Sequence, residues 1–95
     1  MNKYEITIVV RTDIEDALIK KTAEDMKKVL VDSKAKILEE KDLGARELAY
    51  EINKMKTGHY FFYTVECKSN VIDEFERLAK INENIIRHLT IKVED

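Results

Sequence analysis

The segment His59–Lys68, with the sequence HYFFYTVECK, decides the fold. Aromatic and β-branched residues fill it, and these residue types favour a β-strand. Successive side chains of a strand point to opposite faces of the sheet. We therefore predict a strand, the strongest of the chain, that presents Phe61, Tyr63 and Val65 to the core and Tyr60 and Phe62 outward.

A second extended segment precedes this strand along the chain. Between Ala35 and Ile52 the apolar residues return with a period of two, which indicates another strand. Leu43-Gly44 interrupts it and predicts a bulge or bend. The segment Lys54–Gly58 then predicts a five-residue hairpin connection, with a positive φ at Gly58.

The flanking segments predict two helices and two further strands. Lys3–Arg11 alternates as a half-buried strand, and in Ile85–Val93 Leu89, Ile91 and Val93 alternate with His88, Thr90 and Lys92. Thr12 and Glu15 form a capping-box pattern, and Ser69-Asn70 predicts a second helix start. The two apolar helical stripes comprise Ile14, Leu18, Thr22, Met26, Val29 and Leu30, and then Ile72, Phe75, Leu78 and Ala79.

This order is strand, helix, strand, strand, helix, strand. Right-handed crossovers place both helices of such a chain on one face of a four-stranded antiparallel sheet. We predict an α+β fold of the ferredoxin-like split βαβ type (βαββαβ), in one domain over residues 1–95.

Composition restricts the class of protein. The 95 residues contain 17 Lys and Arg against 19 Asp and Glu, a net charge of −2, so the chain is not a polycation that coats nucleic acid by bulk charge. No signal peptide or apolar run of membrane-spanning length is visible, which predicts a cytoplasmic protein. The lone cysteine, Cys67, is expected to pack inside a strand rather than act as a reactive thiol.

The sequence gives little support to catalysis. Gly44 and Gly58 are the only glycines, too few for a phosphate-binding loop or a dinucleotide fingerprint. His59 and His88 have no metal-ligand spacing. We therefore predict no enzyme activity, no cofactor, no metal and no small-molecule substrate.

The distribution of charge is more informative than its total. Residues 52–65 contain no acid but carry Lys54, Lys56 and His59, and residues 84–93 contain none but carry Arg87 and Lys92. Two acid-free cationic segments predict a rim that faces phosphate. The alternative is that the lysine-rich turn only aids solubility.

The aromatic strand suggests a second kind of nucleic-acid contact. Residues 57–64 loosely match the pattern with which RNA-recognition motifs stack bases, although Thr57, Tyr60 and Thr64 depart from it. Core packing accounts better for this segment. Tyr60 and Phe62 fit a protein-contact surface, because aromatic residues are enriched in interface cores.

A family resemblance is carried by Gly44–Lys54, with the sequence GARELAYEINK, and by Asn84–Arg87. These motifs, followed by Gly58-His59-Tyr60 in the first case, resemble the bacterial ribosomal protein S6 family over essentially the whole chain. Family members usually have Pro at the position of Glu51.

The resemblance implies a structural protein that binds small-subunit ribosomal RNA together with the more basic ribosomal protein S18. Arg46, Lys54 and Arg87 lie in the shared motifs. The expected phosphate contacts are Lys54 and Arg87, with Lys56, His59 and Lys92 as neighbours. Arg46 and Tyr50 are expected to be structural or partner-facing. The alternatives are a self-associating ferredoxin-like protein-interaction or ligand-sensing module and, more distantly, an acylphosphatase-like hydrolase.

Overall fold

A computed structural model describes residues 2–93 of the chain. Its elements are β1 (Asn2–Arg11), α1 (Asp16–Asp32), β2 (Lys36–Ile52), β3 (Met55–Cys67), α2 (Ser69–Ile81) and β4 (Ile85–Val93). The strands form one antiparallel sheet in the order β2-β3-β1-β4. This is the predicted ferredoxin-like α+β fold. A single domain over residues 1–95 stays a prediction, since residues 1, 94 and 95 lie outside the described part.

The core lies between the sheet and the two helices. Ile6 of β1 pairs with Tyr63 of β3, and Ile8 pairs with Phe61; all four side chains are buried. The outward positions predicted for Tyr60 and Phe62 are confirmed by the same register. The helices contribute eight further buried apolar side chains to the core, namely Ile19, Ala23, Met26 and Leu30 from α1 and Val71, Ile72, Phe75 and Ala79 from α2.

The predicted helix starts are wrong in both cases. The N-cap residue of α1 is Glu15, without a side-chain cap, because the Thr12 hydroxyl lies 2.8 Å from that of Thr57 and is engaged with β3. Helix α2 begins at Ser69, so its N-cap is Lys68. Tertiary contacts therefore override the local capping signals.

The predicted apolar stripe of α1 is confirmed at Thr22, Met26 and Leu30, which are buried, but it is wrong at Leu18, whose place is taken by Ile19. Leu18 is 40% exposed, whereas Ile19 is 3% exposed. The steps from Ile19 to Ala23 and Met26 are four and three residues, which keep these side chains on one face of the helix.

The hairpin connection is shorter than predicted. Ile52 pairs with Met55, and the two residues between them, Asn53 and Lys54, have φ values of 48° and 66°. Positive φ at both central positions matches the primed turns that suit hairpin twist. Gly58 is therefore a residue of β3, not of the turn. The predicted bend at Gly44 is confirmed by a φ of 78° and a register shift after Asp42.

A bulge sets the direction of the side chains of β4. Val9 pairs with Arg87 while its neighbour Val10 pairs with Ile85, so β4 holds one extra residue. An extra residue exchanges the two faces of a strand. As a result Ile85 is buried, whereas Leu89 and Ile91 lie on the side away from the helices and are each 51% exposed.

Candidate RNA and protein interface

One face of the sheet is not covered by the helices, and we call it the open face. Paired residues of neighbouring strands share a face. Thr7 pairs with Phe62 on one side and Leu89 on the other. Val9, Tyr60 and Arg87 form the adjacent row. The open face therefore combines aromatic, aliphatic and cationic side chains.

A shallow pocket lies on the open face where these two rows meet. Its volume is about 140 Å³, and Val9, Tyr60, Arg87 and Leu89 are among its lining residues. Val9 is only 2% exposed, although its side chain points away from the helices. Neighbouring side chains therefore already cover part of this face without a partner.

The β2–β3 hairpin extends beyond the sheet. The pairing of β3 with β1 ends at Gly58, so residues 48–57 form a projection that we call the hairpin arm. Lys54 lies at its tip and Lys56 on its β3 side, and both are exposed. The predicted cations of this segment therefore stand clear of the sheet.

The hairpin arm contacts β4 across the open face. The Arg87 Nη1 donates a hydrogen bond of 3.2 Å to the Tyr50 hydroxyl. These residues are 37 positions apart in the chain, and β4 is at the opposite edge of the sheet from β2. Tyr50 lies two positions before the acid-free segment 52–65, with Glu51 between them, so the contact ties the acid-free segment of β4 to the arm that carries the other one.

Gly58 lies at the base of the hairpin arm. A Cβ at this position would overlap Val9 Cγ1 and would lie 3.4 Å from Leu48 Cδ2 and 3.6 Å from Ile86 Cδ1. Glycine thus lets β2, β1 and β4 approach each other over the end of β3. Arg46 pairs with Gly58 from β2 and is exposed, with its Nε 3.4 Å from the Leu43 carbonyl oxygen.

His59 and Lys92 do not lie on the same face of the sheet as Arg87, and their contact with RNA stays a prediction. His59 pairs with Val10, and Lys92 pairs with Tyr4; Val10 and Tyr4 are buried on the face that the helices cover. The alternation of strands therefore directs these two cationic side chains to the other face.

His59 has a carboxylate partner on its own face. Its Nε2 lies 2.5 Å from Asp42 Oδ1, which also accepts a 2.9 Å hydrogen bond from the Gly44 N–H. Its ring stacks on Phe61, with centroids 4.6 Å apart. Partial burial raises the pKa of Asp42, but the hydrogen bonds from His59 and Gly44 outweigh it and the net direction is downward. This pair braces the bend in β2.

Sequence reasoning missed the contributions of Val9, Leu48, Leu89 and Ile91 to this surface. Leu89 and Ile91 have the apolar alternation of core residues, and only the β4 bulge turns them outward. The close packing of Leu48 on Gly58 has no local signal, because it depends on how the hairpin arm folds over the sheet.

Within residues 2–93, no three His, Cys, Asp or Glu side chains are grouped so that they could hold a metal ion. Neither of the two helices described for these residues is long and apolar enough to cross a membrane.

Fold and surface together define a ferredoxin-like α+β protein whose uncovered sheet face carries aromatic, aliphatic and cationic groups. The profile of the family described as ribosomal protein S6 matches residues 3–92. The chain therefore belongs to the ribosomal protein S6 family, and its role is structural, in the small ribosomal subunit.

One solved structure agrees with this assignment. The chain is similar to the crystal structure of 30S ribosomal protein S6 from Thermotoga maritima, with a TM-score of 0.92 and 26% identity over 97% of this chain and 87% of that one. A REP-associated tyrosine transposase bound to a REP hairpin matches with a TM-score of 0.43 and 14% identity, covering 99% of this chain and 57% of that one. That second similarity is too low to bear on function.

Proposed function

We propose that the chain binds small-subunit ribosomal RNA as half of a heterodimer with ribosomal protein S18, on the ribosome in the cytoplasm. The observation that carries the proposal is the contact of Arg87, in one acid-free segment, with Tyr50 of the hairpin arm that carries the other. Its guanidinium hydrogen-bonds to the hairpin arm that carries Lys54 and Lys56. Exposed cations clustered in this way contact phosphate oxygens, which position a protein on RNA.

The RNA contacts in this proposal are phosphate contacts made by Lys54, Lys56 and Arg87. Recognition then depends on the shape of the RNA backbone rather than on base edges. His59 and Lys92 lie on the opposite face and would meet a different part of the RNA.

The protein contacts in this proposal lie on the open face. Phe62, Leu89 and Ile91 supply apolar side chains there, with Thr7 between Phe62 and Leu89 and with Glu5 beside Ile91. Interface cores are depleted in charge and enriched in aromatic residues. Because the chain has a net charge of −2, a more basic partner would supply much of the attraction to RNA.

The alternative function is a self-associating ferredoxin-like module. The observation in its favour is that β4 is an edge strand with exposed Leu89 and Ile91. Unpaired edge strands can pair with a second chain. Sedimentation of the isolated chain at increasing concentration distinguishes the two proposals, since a stable homodimer supports the self-associating module.

A gel-mobility titration tests the leading proposal. A small-subunit ribosomal RNA fragment is mixed with the chain, with and without S18, across a salt series. We expect a shift that depends on S18 and weakens as salt rises. The absence of any S18-dependent shift at low salt would refute the proposal.

Single charge deletions locate the phosphate contacts. Lys54→Ala and Arg87→Ala should each weaken binding and reduce the salt slope by about one. The matched control is Lys80→Ala, which removes an exposed cation from α2. Unchanged slopes for both arm-region variants would place the contacts elsewhere.

A charge introduced on the open face tests the protein contacts. Leu89→Asp should abolish the S18-dependent shift, because it puts a carboxylate into an apolar interface. Ile81→Asp is the control, since Ile81 is 66% exposed at the end of α2. Equal effects of the two variants would exclude the open face as the S18 surface.

A further inference from the structure

We propose that Tyr50 is a positioning residue that latches the hairpin arm to β4 and thereby holds Lys54 and Lys56 in place for binding. The inference rests on the proposed RNA-binding function. It assigns to Arg87 a second role besides phosphate contact, as the hydrogen-bond donor of the latch.

The base of the hairpin arm is fixed by packing and by one hydroxyl pair. Leu48 and Ile86 pack around Gly58, where there is no room for a Cβ. The Thr57 hydroxyl lies 2.8 Å from that of Thr12, which follows β1. These contacts lie at residues 48 and 57, the two ends of the arm, and leave its outer part to be fixed separately.

The outer part of the arm is irregular. The register between β2 and β3 shifts between Glu47 and Ile52, so the strands are not held by a continuous ladder there. Tyr50 lies within this interval and is 63% exposed. Among the side-chain hydrogen bonds of residues 2–93, the one that Arg87 donates to Tyr50 joins this interval to the rest of the sheet.

A latch at Tyr50 affects binding without changing any charge. If the arm samples several orientations, the apparent dissociation constant is the intrinsic one divided by the fraction of molecules whose arm is in the binding-competent orientation. In the folded protein, the hydrogen bond from Arg87 to the Tyr50 hydroxyl restricts the arm to fewer orientations. The ordering of Lys54 and Lys56 is then complete before RNA arrives.

The first test is amide hydrogen exchange of the free protein carrying Tyr50→Phe. This substitution removes the hydroxyl and keeps every charge and the aromatic ring. We expect the amides of residues 49–57 to exchange about threefold to tenfold faster, with core amides of β1 unchanged. Tyr60→Phe is the matched control for exchange, since it removes the same group from a regular row of the open face. Unchanged exchange in the arm would overturn the proposal.

The second test is the RNA titration with S18 across the salt series. Tyr50→Phe should weaken binding about threefold to tenfold with the salt slope of the wild type, because no phosphate contact is lost. Lys54→Ala should instead reduce the slope. Faster exchange combined with unchanged affinity would overturn the link between latch and binding.

The two proposals fail in different ways. If the wild-type chain shows no S18-dependent RNA shift, the proposed function fails, while faster exchange in Tyr50→Phe still supports the latch itself. If wild-type binding is normal and the free energy of unfolding of Tyr50→Phe falls by as much as its binding does, the residue acts through global stability and the positioning role is refuted.

Discussion

Substitution of Gly58 by Ala places a methyl group where three strands and the hairpin arm come together. The new Cβ would overlap Val9 Cγ1 and contact Leu48 Cδ2 and Ile86 Cδ1. Val9 is 2% exposed, and a β-branched side chain has few rotamers to which it can move. The backbone of Gly58 does not lie in the left-handed region, so the cost comes from packing alone.

The size of the effect follows from two opposing contributions. Overpacking of a close-packed site costs about 1–3 kcal/mol. Replacing Gly by Ala reduces the entropy of the unfolded chain and returns about 0.4–1 kcal/mol. We therefore expect Gly58→Ala to lower the free energy of unfolding by about 1–2 kcal/mol. For a chain of this length, each kcal/mol lowers Tm by roughly 4–8 °C.

Urea unfolding followed by circular dichroism measures this change, and a second substitution tests its cause. In the Gly58→Ala background, Val9→Ala removes the overlapping methyl group. We expect the double variant to be more stable than the sum of the single effects predicts, by about 1 kcal/mol. That coupling would identify the overlap as the source of the destabilisation.

Gly44→Ala provides the matched control. Gly44 has a φ of 78° and no atom within 4 Å of an added Cβ, so its substitution costs about 1 kcal/mol through the backbone. Val9→Ala should not relieve that cost, and the two effects should add within about 0.5 kcal/mol. If Gly58→Ala matches the wild type in stability, or couples to Val9 no more than Gly44→Ala does, the close-approach argument is refuted.

Three further predictions concern other parts of the molecule. Lys54→Gly should raise the free energy of unfolding by about 1 kcal/mol, because Lys54 has a φ of 66°, and should weaken RNA binding at the same time. Urea unfolding and the RNA titration measure the two effects, and stability and affinity that rise or fall together would contradict the prediction. The pKa of Asp42 in the folded state lies below its ordinary value of 3.8, so its contribution to stability is present above pH 3.8 and is lost as the pH falls through the lower value. The free energy of unfolding should therefore fall less steeply with acid pH in Asp42→Asn than in the wild type. An unchanged pH dependence would exclude stabilisation by the Asp42 carboxylate. Burial raises the pKa of the Cys67 thiol, so alkylation should be much slower in native than in urea-unfolded protein, and equal rates would contradict its buried position.

The fold could be predicted because its core strands obey simple alternation. Phe61, Tyr63 and Val65 are buried as the pattern of β3 indicates, and the strand–helix order left one topology that fits the crossover rules. Local start and turn signals were less informative. Thr12 has the pattern of a helix cap, but its hydroxyl is engaged with Thr57, 45 residues away.

The candidate site could be predicted only in part, because its geometry depends on irregularities of the sheet. A single extra residue in β4 turns Leu89 and Ile91 to the open face, and no residue in that segment signals the bulge. Lys54 and Arg87 stand out in the sequence as cations in acid-free segments, but the contact of Arg87 with the hairpin arm is made by the Tyr50 hydroxyl, which no sequence pattern signals. The sequence pattern also grouped His59 with them, although alternation places it on the opposite face beside Asp42.

The same irregularities explain how a chain with a net charge of −2 can present a cationic surface. Acidic residues are frequent along β2, and salt bridges join several of them to neighbouring cations, such as Glu40 to Lys27 at 2.9 Å. The arm cations Lys54 and Lys56 project beyond this zone, and the contact with Arg87 adds a third positive charge from the far edge of the sheet. Three positive charges, with Glu51 in the same hairpin arm, attract RNA only weakly in physiological salt. Under the proposed function, partner binding and RNA binding are therefore coupled: a basic protein seated on Leu89 and Ile91 would extend the positive surface that begins at the hairpin arm.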